Sequence, residues 1–176
     1  MSTATAIPAL TIVALGAMDQ GAFVAAVGDL FEHSPWVARD AWARRPFGDE
    51  AALHDAMMNA VYAATPAQQL AFLNAHPELA GKEAQAGTIT GHSTYEQQGL
   101  NALSRAEFVE LQQLNAAYRA RHGFPFIIAV LGHTKTQIFE ALRNRTGNET
   151  PSEMREALGQ IAQITRRRVH ARFAPR

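Results

Sequence analysis

The 176 residues include no cysteine, which excludes a disulfide framework, thiolate zinc sites and a cysteine nucleophile. No apolar run approaches the eighteen residues that a membrane span needs. Charge of one sign is also missing, since 16 Lys and Arg balance 16 Asp and Glu. No global field therefore favours nucleic acid or an anionic membrane. The chain has no repeat, no low-complexity tract, no phosphate-cradling glycine loop and no Gly-x-Ser-x-Gly nucleophile elbow. Its seven histidines never fall at His-x-x-x-His spacing, so a protein-ligated metal is not expected. The segment Met1 to Leu15 lacks the basic stretch of a signal peptide and is interrupted by Pro8. A soluble, cytoplasmic protein is the simplest expectation, with about fifteen extended residues at its start.

What is present is helical periodicity, nearly throughout. Asp19 is placed to cap a helix carrying Phe23, Val27, Leu30 and Phe31 on one face. Ser34-Pro35 opens a helix with Val37, Ala41 and Trp42, and Arg45-Pro46-Phe47-Gly48 ends it. Leu53, Met57, Ala60 and Val61 stripe a third helix. Thr65-Pro66 starts a fourth with Leu70 and Leu73, closing near His76-Pro77. Ser104 precedes a long helix with Phe108, Leu111, Leu114, Asn115 and Tyr118 that stops at His122-Gly123. Phe124 to Leu131 is the most apolar run, and its period leaves a buried strand and a buried helix start both open. Thr134 opens a helix with Ile138, Phe139 and Leu142. Thr150-Pro151-Ser152-Glu153 combines an N-cap, a Pro at the first helical position and a Glu at the third. The last helix reaches about Phe173. The pattern predicts an all-α, single-domain compact bundle of about eight helices over residues 1–176.

Three side chains stand out as candidates for chemistry. His76 ends one helix, and Glu96, twenty residues on, sits in Ser93-x-x-Glu96, which fits a capping box. An imidazole tuned by a carboxylate is an acid–base device near neutral pH. Read alone, each is better explained as a helix boundary and a cap. Arg168 lies one heptad beyond Ile161 and so continues the inward face of Met154, Leu158, Ile161 and Ile164. A cation there is paired or binds an anion, unless the helix is already leaving the core at that point, and these two readings are even. Arg166, Arg167, Arg172 and Arg176 read as a solvated basic helix end. Trp36 and Trp42 read as packing residues.

These segments together resemble a known family. Ser34-Pro35-Trp36-Val37-Ala38, Arg45-Pro46-Phe47, His76-Pro77-Glu78-Leu79-Ala80, Ser93-Thr94-x-Glu96-Gln97 and Gly123-Phe124-Pro125-Phe126 occur in its order. Arg145, Glu153, Ala157-Leu158, Ile161 and Arg168 follow. From about residue 20 to 173 the chain resembles 2-oxo-4-hydroxy-4-carboxy-5-ureidoimidazoline (OHCU) decarboxylases, enzymes of urate breakdown.

The resemblance implies an all-α carboxy-lyase, commonly a homodimer. It would convert OHCU to (S)-allantoin and CO2 with neither cofactor nor metal. It implies His76 and Glu96 as the catalytic pair. It implies substrate contacts from Pro77, Ser93, Thr94, Tyr95, Gln97 and Arg168, and from Phe126, Ile127, Ile128, Ala129 and Val130, the last five mostly through backbone. Arg168 would anchor substrate oxygens or pair with Glu96. One departure from the family pattern is visible, because Gly99-Leu100 follow Gln97 after Gln98 alone, two residues early. The bland alternative is a non-enzymatic helical interaction module; a third reading is a relative acting on another ureido or carboxy-imidazole compound.

Overall fold

The computed structural model describes residues 10–80, 91–92, 100 and 103–174. Among them are eight α-helices and no strand. They are α1 (Ile12–Gly16), α2 (Gln20–Val27), α3 (Pro35–Trp42), α4 (Glu50–Ala63), α5 (Pro66–Asn74), α6 (Arg105–His122), α7 (Lys135–Thr146) and α8 (Thr150–Phe173), with a 3-10 turn at Gly28–Leu30. The helix starts follow local chemistry. Asp19 and Asp49 each accept a hydrogen bond from the amide three residues on, at 2.8 and 2.7 Å. Thr65 with Gln68, Ser104 with Glu107, and Thr134 with Gln137 form reciprocal capping boxes. α6 ends where Gly123 takes φ +81°, a left-handed conformation that glycine adopts without steric cost.

Packing joins these helices around one apolar core. α3 packs on α2 and α4, α4 on α8, and α6 on α7. Phe23, Phe31, Leu53, Met57, Phe72, Tyr118, Phe124 and Ile161 are among the fully buried side chains. Removing such a side chain from water stabilises the fold by about 1.5–3 kcal/mol. Trp36 and Trp42 pack on the core's margin, as expected of them. Arg45 closes α3, because its Nε donates to Trp42 O at 2.7 Å while its guanidinium stacks 3.9 Å above the Trp42 ring.

Several local expectations are corrected. Ile12–Gly16 is a short helix, capped by Thr11, where an extended start is the sequence reading. The stripe Phe23, Val27, Leu30, Phe31 is buried as predicted, but Leu30 sits in the 3-10 turn and Phe31 follows it. Ser34 precedes α3 without a side-chain cap bond. In α5 the buried partner of Leu73 is Phe72, and Leu70 faces solvent. Phe124 to Val130 is neither strand nor helix; it is a buried irregular segment. α8 begins one residue early, with Glu149 at its N-cap, so Thr150 and Glu153 do not form the predicted cap. Both have other work. The Thr150 hydroxyl meets His122 Nδ1 at 3.1 Å, and Glu153 is completely buried.

Candidate active site

His76 lies just past the C-terminal end of α5, and two contacts, both from Phe72, fix its ring. Pro77 prevents the helix from continuing, because the residue before a proline is pushed out of the α region. Nδ1 lies 3.3 Å from the carbonyl of Phe72, one turn back. The Phe72 ring packs edge-on against the imidazole at 5.4 Å and is itself held by Phe31 and Trp36. A carbonyl only accepts, so Nδ1 must carry the ring proton. That leaves Nε2 as a lone pair. It is buried and has no hydrogen-bond partner among the described residues.

Burial pushes the His76 pKa from 6.5 down to about 4. The Phe72 carbonyl and the charge of Glu32 work against the shift, while Arg168 and His33 add to it. The ring is therefore neutral at pH 7, an unprotonated base in a dry wall. The chain beyond it is pinned by α6. Asn115 Nδ2 donates to Leu79 O at 3.0 Å, and Gln112 Nε2 donates to Ala80 O at 3.1 Å.

The facing wall is the irregular segment. Phe126, Ile127, Ile128, Ala129 and Val130 line a cleft of about 500 Å³, counted with its open mouth, together with His76, Pro77 and Arg168. Eight residues singled out from the sequence thus meet in one place. Without a ladder or helix, this segment takes its hydrogen bonds from side chains. Arg145 Nη1 donates to Ile127 O at 2.9 Å, with its guanidinium 4.5 Å from the Phe126 ring centre. The Ala129 amide donates to Gln160 Oε1 at 2.9 Å, and Gln160 Nε2 donates on to Glu156, which fixes the amide's orientation. His133 Nδ1 donates to Ala129 O at 2.9 Å.

Arg145 is in turn fixed by Glu153. The carboxylate accepts from Arg145 Nε at 2.8 Å, Tyr118 Oη at 2.5 Å and Asn148 Nδ2 at 2.8 Å. Burial and this carboxylate together hold the Tyr118 phenol well above its usual range.

Arg168 is where the stripe on α8 places it, facing inward and 4% exposed. Its partner among the described residues is Glu32, at 3.1 Å from Nη1, and the same nitrogen donates to Leu30 O at 3.2 Å. The sequence reading named Glu96 as the possible partner and passed over Glu32. A signal was there: an inward arginine requires a buried anion, and Glu32 directly follows the buried pair Leu30-Phe31. Ser93, Thr94, Tyr95, Glu96 and Gln97 lie outside the described residues. The basic end of α8 is also more structured than expected. Arg172 bonds Asp29 and the Ala26 carbonyl, Arg167 lines the cleft, and Arg166 is solvated as predicted. Arg176 lies outside the described residues. The described residues contain no group of acidic side chains and histidines able to hold a metal ion.

An all-α frame enclosing a neutral imidazole, its Nε2 without a partner among the described residues, beside arginine side chains has the features of a small-molecule site for an anion. Comparison with known proteins makes this specific. Residues 16–170 match the OHCU decarboxylase family, and the chain belongs to that family. It is 38% identical to the 2-oxo-4-hydroxy-4-carboxy-5-ureidoimidazoline decarboxylase of Haloferax volcanii, over 94% of this chain and 97% of that one. It is 35% identical to the mouse (Mus musculus) enzyme of the same name, over 91% of each. A crystal structure of (S)-allantoin synthase superposes with a TM-score of 0.73 at 28% identity, over 93% of this chain and 54% of that one. This chain therefore spans about half of that longer protein. No helix among the described residues is long and apolar enough to cross a membrane.

Proposed function

We propose that the chain decarboxylates OHCU to (S)-allantoin and CO2, with His76 as its acid–base group. One observation carries the role of His76: a buried Nε2 lone pair, its tautomer fixed from behind by the Phe72 carbonyl, lines the cleft. As the C–CO2 bond breaks, its electron pair moves into the substrate's imidazoline ring. The ring then needs a proton on one face, and that face sets the hand of the allantoin. His76 takes the substrate's hydroxyl proton at Nε2 as that oxygen becomes a carbonyl and returns it to the ring carbon. A second proton from water neutralises the ring nitrogen that received the electron pair. The nearby charge of Glu32 favours the transient imidazolium. The substrate's own ring delocalises the electrons, so the reading includes no cofactor.

Glu96 completes the acid–base pair in this reading, with Ser93, Thr94, Tyr95 and Gln97 beside it on the substrate. The reading extends to one domain over residues 1–176, a homodimer and a cytoplasmic location. Light scattering on the purified chain tests the dimer.

Freshly generated OHCU decays by itself to racemic allantoin, so the decisive measurement is chiral. Circular dichroism of the product should show rapid, one-handed allantoin with the protein present. Racemic product at the spontaneous rate would end the proposal. The His76→Gln variant should lose at least about 100-fold in rate with its melting temperature preserved.

A further inference from the structure

We propose that Arg167, not Arg168, is the cation that captures the substrate's carboxylate at the mouth of the cleft. The inference rests on the activity proposed above and adds a residue that the sequence pattern assigns to solvent. The cleft wall among the described residues contains two cations, Arg167 and Arg168, and no carboxylate. Arg168 is buried and carries its countercharge with it, in Glu32 at 3.1 Å. His76 is neutral. Among the described residues the inner wall thus carries no net positive charge, and a buried pair of this kind exerts little net attraction on an approaching anion.

Arg167 is different. It is exposed, and no carboxylate among the described residues pairs with it. Its Nη1 donates to Leu131 O at 2.8 Å, which anchors the guanidinium beside the end of the substrate-facing wall. A guanidinium has five N–H donors, and one such bond leaves the fork able to receive an anion.

Chemistry favours this division. A carboxylate about to leave as CO2 gives up its negative charge to the ring, so a tight buried ion pair on it would stabilise the ground state more than the transition state. A solvated cation at the rim gathers the anion without locking it. Its effect belongs to capture rather than to the bond-breaking step.

The test compares Arg167→Gln, Arg167→Lys and the neighbouring Arg166→Gln. Arg166 is a fair control, because it is 71% exposed and lies near Asp55, away from the cleft. Arg167→Gln should raise KM about fivefold, as expected for one solvent-exposed ion contact, with kcat within about twofold. Arg167→Lys should recover much of the loss, and Arg166→Gln should match wild type. Raising KCl from about 0.02 to about 0.3 M should depress wild-type kcat/KM and leave Arg167→Gln nearly flat. Unchanged KM and unchanged salt dependence in an otherwise active Arg167→Gln would overturn the assignment alone. A wild type unable to accelerate OHCU decay would overturn the activity and this assignment together. A fall in kcat at constant KM would also refute it, since that places Arg167 in the chemical step.

Discussion

Acid titration of the free enzyme tests the most consequential feature of the site, the depressed pKa of His76. Burial moves that group from 6.5 to about 4. If neutral His76 is the base, kcat/KM should hold far below the pH at which an ordinary histidine fails. At about pH 5.5 a group titrating at 6.5 keeps roughly a tenth of its neutral form, whereas one titrating near 4 keeps nearly all of it. Initial rates on fresh OHCU, corrected for spontaneous decay, thus separate the two by roughly tenfold at one pH.

The same shift has a cost in stability. The unfolded chain accepts a proton at 6.5 that the folded chain refuses until about 4, so acid favours unfolding across that interval. Stability is intact above the upper value, declines through the window and levels off below the lower one. The full loss from this group is about 3 kcal/mol, and urea titrations at several pH values should find it in wild type and miss it in His76→Gln. An acid limb in kcat/KM centred near 6.5, or an identical pH slope in the variant, would refute the dry, neutral imidazole.

Two further outcomes follow from the side chains behind the facing wall. Glu153→Ala strands the Arg145 guanidinium and the Tyr118 hydroxyl in the interior, and urea unfolding should show a loss of about 3–5 kcal/mol. Gln160→Ala removes the acceptor of the Ala129 amide; stability should fall by about 1 kcal/mol, and kcat/KM should drop several-fold while the acid limb of His76 stays in place.

The helices were legible because their signals are local. Thr65-Pro66, Ser104 and Thr134 announce their caps within four residues, and the stripes at Leu53-Met57-Val61 and Leu158-Ile161 follow the helical period. Phe124 to Val130 was ambiguous for a physical reason. Its backbone is bonded by Arg145, Gln160 and His133, side chains 18, 31 and 4 residues from the groups they bond, and no period in the segment encodes that. Glu153 was misread for the opposite reason: a good local explanation, the capping box, hid a tertiary one. Its spacing of four from Ala157, then Ile161 and Thr165, places it on the buried face of α8. Of the residues that line the candidate cleft, His76, Pro77, Phe126 to Val130 and Arg168 stand out in the sequence chiefly through the resemblance to a family. Glu32 was not, because its meaning depends on a partner 136 residues away.

That distant pair bears on why the cleft is built as it is. Removing two ions from water costs several kcal/mol per ion, so Glu32 and Arg168 do not serve stability better than two apolar side chains would. Their effect on the site is electrostatic balance. Arg168 alone would depress the imidazole further and hold an anion tightly; Glu32 alone would repel it. Together they leave polar groups fixed in direction but nearly cancelled in charge. A reaction that shifts one negative charge from a carboxylate into a ring gains from such an environment, because preorganised groups need not reorient as the charge moves. Glu32→Gln breaks this balance without changing the side chain's size. It should therefore lower kcat/KM on fresh OHCU through charge, by removing one negative charge from beside Arg168 and the neutral base, even where the hydrogen bond to Arg168 is retained.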